Sequence, residues 1–482
     1  MYYLTTDYSA DLNPQFKEGE RMSDGALLEL SSRGKQDSYF IQGATRSWFG
    51  TDYERRSAST RQIREQRPEN QVRFGKWIDI ELPRASDILV TAQIRIQMNS
   101  WLPAEVEVLN RANLVEIESQ TPGVWAQYGW TNGIANYLIK RWALFADNLM
   151  ITEGTGEFNS WYAEIGTTQL RAPIIHKYTG THDGSNQNIQ RMATPQELVF
   201  RLPLIGCQED RDVGLPICAI KGQRLYLRLW LRDLKDLVES TDLCGGLAPL
   251  PLYETNPAPW NRKRIRINGV VSNYVTLLAH EIKPPIIYGK FDVLNVDAEL
   301  RDALRARPLQ IQFREQRQEY FHIADQQWTP SARYKHNVGI NGFFQMMFLT
   351  LMSQARDAQN KYRDVNPPGG GDWLESMTLN VNGYNRYETL LPRKFTELAS
   401  NVQLPRDIEM NVYYMIFGYA PDGEPAGVLN TSRTHKTTLI LQLKDTPPDP
   451  ADPSHTTFAA LYGLTWNVLD IAGDHCQVRF PQ

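Results

Sequence analysis

The chain has 482 residues, with 51 Lys and Arg against 55 Asp and Glu, which gives a formal net charge of −4. Its 41% hydrophobic and 22% charged residues are ordinary for a folded globular protein and exclude wholesale disorder. A protein whose main task is to bind nucleic acid carries a clear excess of Lys and Arg, because its affinity comes from neutralising phosphates, and this chain lacks that excess.

The sequence shows no signal for a membrane span, for secretion or for a disulfide framework. The longest apolar run, residues 342–352, is too short to cross a bilayer, and the N-terminal segment is polar and acidic. Few cysteines occur in so long a chain, and none stands in a C-x-x-C pair. We therefore expect reduced, mostly buried thiols at Cys207, Cys218, Cys244 and Cys476.

Strands are predicted along the whole chain by alternation of apolar and polar residues with a period of two. The clearest case is Ile88–Met98, and residues 225–231 repeat the pattern with four leucines on one face and Arg228, flanked by Arg224 and Arg232, on the other. An apolar run at residues 343–352 predicts a core strand. Shorter strands are predicted at residues 76–82, 411–417, 437–443 and 464–471.

Helices are expected to be few and loops long. Residues 296–307 have an acidic start and a basic end, which suits the helix dipole and predicts one helix. The 28 prolines and 32 glycines favour short strands joined by turns. Loops are predicted at residues 179–188, 364–372 and 446–454.

A weak internal repeat suggests two similar β domains in tandem. Residues 206–231 align with residues 418–443, and residues 143–153 align with residues 378–388. The two aligned segments lie farther apart in the first half than in the second, which predicts one longer loop in the first half. Residues 167–195 are the natural place for it.

No catalytic machinery is recognisable. The sequence has no phosphate-binding loop, no H-E-x-x-H helix and no G-x-S-x-G elbow. The adjacent pairs His280–Glu281 and Asp474–His475 would point to opposite faces of a strand, which argues against catalytic dyads. The arginine-rich stretch 55–73 is interpreted as a solvated loop or subunit contact rather than a patch for an acidic partner. We predict no catalytic, cofactor-binding or metal-binding residue, and no enzyme activity.

Several separated segments, in order, resemble the double jelly-roll major capsid protein of the nucleocytoplasmic large DNA viruses. Residues 25–39 (GALLELSSRGKQDSY) are similar to the opening segment of that family, and residues 82–97 to its proline and alternating strand. Residues 378–387 (TLNVNGYNRY) are similar to its N-G turn. Residues 424–443 (EPAGVLNTSRTHKTTLILQL) are the most specific match, and the resemblance spans about residues 25–475.

The resemblance implies an all-β chain of two tandem jelly-roll β-sandwiches with few short helices and long loops. The expected division is an N-terminal arm at 1–24, a first jelly roll at 25–235, a linker at 236–259 and a second jelly roll at 260–482. By loop length, residues 167–195 are the candidate for an exposed tower loop, and residues 364–372 for its counterpart.

The resemblance also implies a function that needs no cofactor. Three copies would form a pseudo-hexagonal trimer that tiles an icosahedral virion shell, assembled in the host cytoplasm. Its partners would be neighbouring capsomers, penton proteins and minor capsid proteins beneath the lattice, with an indirect relation to an internal membrane and no sequence-specific nucleic acid.

Two other functions stay open from the sequence. One is a double jelly-roll scaffold protein of virion assembly, which needs the same trimers and lattice contacts. The other is a β-sandwich carbohydrate-binding protein or hydrolase, which would need an aromatic platform or a carboxylate pair in one cleft.

Overall fold

The computed structural model describes most of the chain beyond residue 57. The described residues are 58–99, 115–118, 123, 125–126, 128–166, 170–181, 196–203, 214–240, 263–275, 282–323, 333–353, 360–366, 371–390, 411–418, 427–444 and 457–480.

These residues form mainly strands, numbered here in chain order. The strands are β1 Ser59–Gln66, β2 Trp77–Glu81, β3 Ile88–Met98, β4 Val115–Glu118, β5 Trp125–Ala126, β6 Tyr128–Trp130, β7 Ile139–Ala146, β8 Leu149–Gly154, β9 Gln196–Leu202, β10 Leu225–Leu231, β11 Val238–Ser240, β12 Lys263–Ile267, β13 Val270–Val275, β14 Ile286–Val296, β15 Leu309–His322, β16 Arg333–Asn337, β17 Phe343–Ser353, β18 Leu374–Val381, β19 Tyr384–Leu390, β20 Val412–Ile416, β21 Leu429–Asn430, β22 Thr437–Leu443, β23 Thr457–Ala472 and β24 His475–Val478. The α-helices are α1 Ile134–Tyr137, α2 Gly156–Gly166, α3 Ala172–Thr179 and α4 Ala298–Ala306.

The first sandwich consists of two four-stranded antiparallel sheets. One sheet has the strand order β1-β14-β3-β9 and the other β2-β10-β7-β8. Along each strand, side chains that point towards the other sheet alternate with side chains that point outward. Leu225, Leu227, Leu229 and Leu231 therefore all lie in one buried core. A smaller sheet, β13-β12-β4-β5, is built from two of the long connections of this sandwich.

The second sandwich has the same topology. Its sheets have the strand orders β15-β23-β17-β20 and β16-β22-β18-β19. In both sandwiches the eight strands, numbered by their order along the chain, therefore occupy the same positions: first-eighth-third-sixth in one sheet and second-seventh-fourth-fifth in the other. This shared order is that of a jelly roll and confirms the predicted pair of sandwiches.

The structure confirms the weak sequence repeat. The alignment of residues 143–153 with residues 378–388 makes both ends of β7 equivalent to both ends of β18. The alignment of residues 206–231 with residues 418–443 does the same for β10 and β22. The turn after β7 places Asp147 at φ 51°, and the equivalent turn places Asn382 at φ 52°. The extra length in the first half lies between β8 and β9, at residues 155–195, where the described part forms α2 and α3.

The boundary between the sandwiches differs from the expected linker at residues 236–259. The strand β14 pairs with β1 and β3, so the first sandwich extends to Val296. The expected linker begins inside the seventh-to-eighth strand connection of this sandwich, where β11 pairs with β6. A Gly- and Pro-rich composition marks a long connection, but it does not distinguish an insertion from a linker. The expected arm at residues 1–24 lies outside the described residues.

The helix predicted at residues 296–307 is confirmed and lies in the chain between the two sandwiches. The carboxylate of Asp297 caps α4 by accepting a hydrogen bond from the Leu300 backbone N–H at 3.0 Å. Arg301 then donates to Asp87 of the first sandwich at 2.7 Å. An ion pair therefore connects α4 to the residue that precedes β3.

The two predicted tower loops have different outcomes. Within residues 167–195 the structure describes α3 and its flanks, and the remainder lies outside the described residues. Residues 364–372 belong to the connection between β17 and β18, so they are not topological counterparts of residues 167–195. Among the described residues of 364–372, Asp364 and Gly371 are exposed, whereas Val365 is buried in the apolar cluster that includes Phe158 and Trp161 of the first sandwich.

We expect Gly383→Ala to lower the free energy of unfolding by about 1–2 kcal/mol, because Gly383 has φ +89° and a side chain is strained there even though space is open. Gly166→Ala is the matched control, since its position is equally open and has no positive φ. Denaturant midpoints of the two variants measure the difference, and equal midpoints would contradict the strained-turn explanation.

Candidate functional site

A buried apolar contact between the two sandwiches is made by α2, which follows the edge strand β8. Its apolar side chains Phe158, Trp161 and Ile165 are buried with the outward residues of β17, β20 and β23. The Phe158 ring lies 5.3 Å from the Phe348 ring and 5.8 Å, edge to face, from the Tyr462 ring. The second sandwich therefore has a sheet buried on both faces, which explains the near-continuous apolar run at residues 343–352.

Two glycines permit the close approach at the start of α2. A Cβ on Gly156 would lie 1.8 Å from the Asn136 carbonyl oxygen, so only glycine fits there. A Cβ on Gly154 would lie 2.0 Å from the Gln316 side chain, across the boundary between the sandwiches. Between them, the Thr155 hydroxyl accepts a hydrogen bond from the Phe158 N–H at 3.2 Å and caps the helix.

A buried ion pair joins α2 to the segment 360–366 of the second sandwich. The Glu164 carboxylate accepts a hydrogen bond from the Arg363 guanidinium, and it lies 2.6 Å from Nε2 of His176 on α3. Burial by itself raises the pKa of Glu164, but the His176 hydrogen bond and the Arg363 charge outweigh burial and hold that pKa at about 2. Glu164 is therefore ionised at neutral pH, where it is a fixed partner for Arg363.

The same segment is anchored by backbone groups of the first sandwich. The Asn360 amide donates to the carbonyls of Lys235 at 2.7 Å and Val238 at 2.8 Å, and the Asn360 carbonyl accepts from the Thr131 hydroxyl at 2.6 Å. Asn360 holds φ 60°, a conformation that Asn tolerates better than most residues. These bonds fix the segment 360–366 to the third-to-fourth and seventh-to-eighth strand connections of the first sandwich.

The edge strands β8 and β15 meet through side chains rather than through a backbone ladder. The Thr155 N–H donates to Gln316 Oε1 at 3.2 Å, and the Gln316 amide donates to Asn159 Oδ1 at 2.7 Å. The Thr155 hydroxyl donates to Gln318 Oε1 at 2.9 Å. These bonds connect Thr155 and Asn159, which follow β8 in the chain, to the middle of β15.

A cleft of about 930 Å³ lies beside this junction. It is lined by side chains of both charges, among them Arg141, Glu153, Glu315 and Arg317. Arg141 pairs with Glu153, and Arg317 donates to Glu315 at 3.1 Å. The charges are thus paired with one another within the cleft.

The described residues do not assemble the polar pairs that the sequence analysis weighed. Asp474 and His475 are exposed in and beside the turn before β24, whereas the His280–Glu281 pair lies outside the described residues. Across the described ranges, no group of three or more His, Cys, Asp and Glu residues could hold a metal ion. No helix in the described part of the chain is long and apolar enough to cross a membrane.

Two of the four cysteines are described, and both are free and buried, as predicted. They are Cys218 and Cys476. Burial raises the pKa of the Cys476 thiol to about 12, so the thiolate form is suppressed at neutral pH. Cys207 and Cys244 lie outside the described residues.

Comparisons with known proteins identify the fold. No protein-family model and no curated protein matches the sequence. Among solved structures, the capsid of the virus PBCV-1 matches with a TM-score of 0.68 and 14% identity over 90% of this chain and 100% of that chain. The Faustovirus major capsid protein matches with a TM-score of 0.60 and 12% identity, over 89% and 93%. The Sputnik virophage structure matches with a TM-score of 0.54 and 8% identity, over 93% of both chains. The chain therefore has the double jelly-roll fold found in these viral capsid structures.

We expect Arg363→Met to lower the free energy of unfolding by about 3–5 kcal/mol, because it removes the buried cation that faces the Glu164 carboxylate. The matched control is Arg479→Met, which breaks a partly exposed pair with Asp470 and should cost less than about 1 kcal/mol. Denaturant unfolding measures both. The double variant Arg363→Met, Glu164→Gln should recover part of the lost unfolding free energy, because it no longer buries an unpaired carboxylate. If the two single losses simply add in the double variant, the coupling between Arg363 and Glu164 is contradicted.

We expect the stabilisation from Glu164 to depend on pH. Its folded pKa of about 2 lies below its ordinary value of 4.5, so the stabilisation is complete above pH 4.5 and is lost as pH falls towards 2. The unfolding free energy of the wild type minus that of Glu164→Gln should therefore shrink over this range. The corresponding difference for Glu197→Gln should be small, because Glu197 is an exposed partner of Arg95. A flat Glu164 difference would contradict the assignment.

Proposed function

We propose that this chain is the structural major capsid protein of a virus. The observation that carries the proposal is the strand order, repeated in two sandwiches that are fixed to each other by a buried contact. The PBCV-1 capsid and the Faustovirus major capsid protein share this fold over nearly their whole length. A shell subunit works by repeated surface complementarity, so the role is structural rather than catalytic.

Three copies would form the capsomer. Six similar sandwiches give a trimer a pseudo-hexagonal outline, and such trimers can tile an icosahedral shell. The net charge of −4 on 482 residues suits crowded lateral packing, because strong self-repulsion would oppose a lattice. The protein would reside in the virion after assembly in the host cytoplasm, in contact with neighbouring capsomers, penton proteins and minor capsid proteins.

We expect the purified chain to have a solution mass near three times 55.3 kDa, and to keep this mass on dilution. Light scattering at moderate salt measures it. A stable monomer would contradict an unaided trimeric capsomer. The protein should also be an abundant component of mature particles, whereas presence in assembly intermediates alone would indicate a scaffold.

A further inference from the structure

The outer face of the sheet β2-β10-β7-β8 carries four aromatic side chains that lie next to one another. The leucines of β10 point into the core, so the alternating residues Tyr226 and Trp230 point outward. Trp77 pairs with Trp230, and Phe145 pairs with Tyr226, which places all four side chains on one face. Trp77 is 43% exposed, and the other three are half-buried. We call Trp77, Phe145, Tyr226 and Trp230 the aromatic face.

A guanidinium group fixes the arrangement of these rings. The Arg228 guanidinium carbon lies 4.4 Å from the Trp77 ring centroid and 5.5 Å from the Tyr226 ring centroid. The Phe145 ring stacks on the Tyr226 ring at a centroid distance of 5.3 Å. The Asp79 carboxylate accepts two hydrogen bonds from Arg228, each of 2.8 Å. A surface whose side chains are already held in place loses little conformational entropy when a ligand binds.

The corresponding residues of the second sandwich are polar or charged. The aligned repeat and the strand registers define them for Trp77, Phe145, Tyr226 and Trp230 as Arg333, Asn380, Thr438 and Gln442, respectively. A solvated face of an antiparallel sheet is ordinarily polar. The fold therefore does not require aromatic residues at these positions, and an exposed cluster of them is typical of a binding surface.

The aromatic face continues into the cleft of about 930 Å³ described above. Arg141 and Glu153 line that cleft, and the Arg141 guanidinium carbon lies 4.9 Å from the Trp230 ring centroid. The lining from the second sandwich includes Trp466 and Phe480. The indole N–H of Trp466 is a buried donor that has no hydrogen-bond partner among the described residues. Aromatic rings with a few polar groups that orient a ligand are the usual lining of a binding site.

The charges of this surface favour a neutral ligand. Each of its three arginines is paired with a carboxylate, and the pairs are Arg141–Glu153, Arg224–Glu69 and Arg228–Asp79. A polyanion such as nucleic acid gains its affinity from cations that neutralise phosphates, and here the cations are already neutralised. Carboxylates and guanidiniums side by side offer acceptors and donors to hydroxyl groups, which both donate and accept hydrogen bonds. Sugar rings combine such hydroxyl groups with C–H faces that stack on aromatic rings.

We propose that the aromatic face and the adjoining cleft bind a neutral polysaccharide chain of the kind that covers cells. The aromatic rings stack on sugar rings, and the arginine–carboxylate pairs at their border form hydrogen bonds with the hydroxyl groups. This site adds a binding activity to the proposed structural role and does not depend on it.

The test uses the purified full-length chain in native gels that contain laminarin, mannan or arabinogalactan. At least one of these neutral polysaccharides should retard the wild type, and the retardation at increasing polysaccharide concentration gives a dissociation constant. Trp77→Ala should raise this constant at least about tenfold, because truncating a central aromatic side chain removes much of the affinity of a binding site. Trp230→Gln, which introduces the residue type of the equivalent position, should have the same effect.

The matched control is Tyr384→Ala. Tyr384 is an aromatic residue that is 82% exposed on β19, in the corresponding sheet of the second sandwich, so its removal should leave the dissociation constant unchanged. Thermal unfolding checks that all three variants remain folded, and a gel with dextran sulfate tests for a polyanion site.

Four results would overturn the proposal. They are no retardation of the wild type by any of the neutral polysaccharides, retardation by dextran sulfate alone, wild-type binding by both tryptophan variants, and a changed solution mass of Trp77→Ala with unchanged binding. The last result would assign the face to a contact between copies. A trimer that binds no polysaccharide would leave the proposed function standing, and a monomer that binds one would leave this inference standing.

Discussion

The burial of α2 against the outer face of the second sandwich is the contact on which the rest of the molecule depends. It places Phe158, Trp161 and Ile165 in an apolar layer with residues of three strands. The hydrophobic effect of this layer is non-directional and does not by itself define one arrangement. The relative orientation of the two sandwiches comes from the polar contacts at the border of this layer. There the Arg363 guanidinium binds the Glu164 carboxylate, and the Asn360 amide donates to backbone carbonyls.

These two kinds of contact have a consequence for assembly. A shell built from many copies needs subunits with a fixed angle between their two halves, because a variable angle would give variable capsomers. Anchors such as the buried ion pair contribute little net stability compared with apolar residues, but a misaligned arrangement would leave charges buried and unpaired. The contact between the sandwiches thus restricts the chain to one geometry.

Much of the fold could be predicted from local patterns. The strands at residues 88–98, 225–231 and 437–443 were bounded correctly because each has one face in a core and a more polar opposite face. The helix α2 was missed, although its apolar residues Phe158, Trp161 and Ile165 recur at helical spacing. The contact between the sandwiches could not be predicted, because Gln316 and Asn360 are ordinary polar residues until folding brings them to their partners.

The sequence by itself determined the all-β class, the two similar halves and the extra length in the first half, because period-two alternation and repeat spacing are properties of neighbouring residues. Only the tertiary structure decided where the first sandwich ends, since β14 pairs with strands that lie far earlier in the chain. It also decided that residues 360–363, which precede the loop predicted at 364–372, are anchored to the first sandwich. Such long-range pairing depends on closing the sheets around a core, and no local pattern encodes which distant strand completes them.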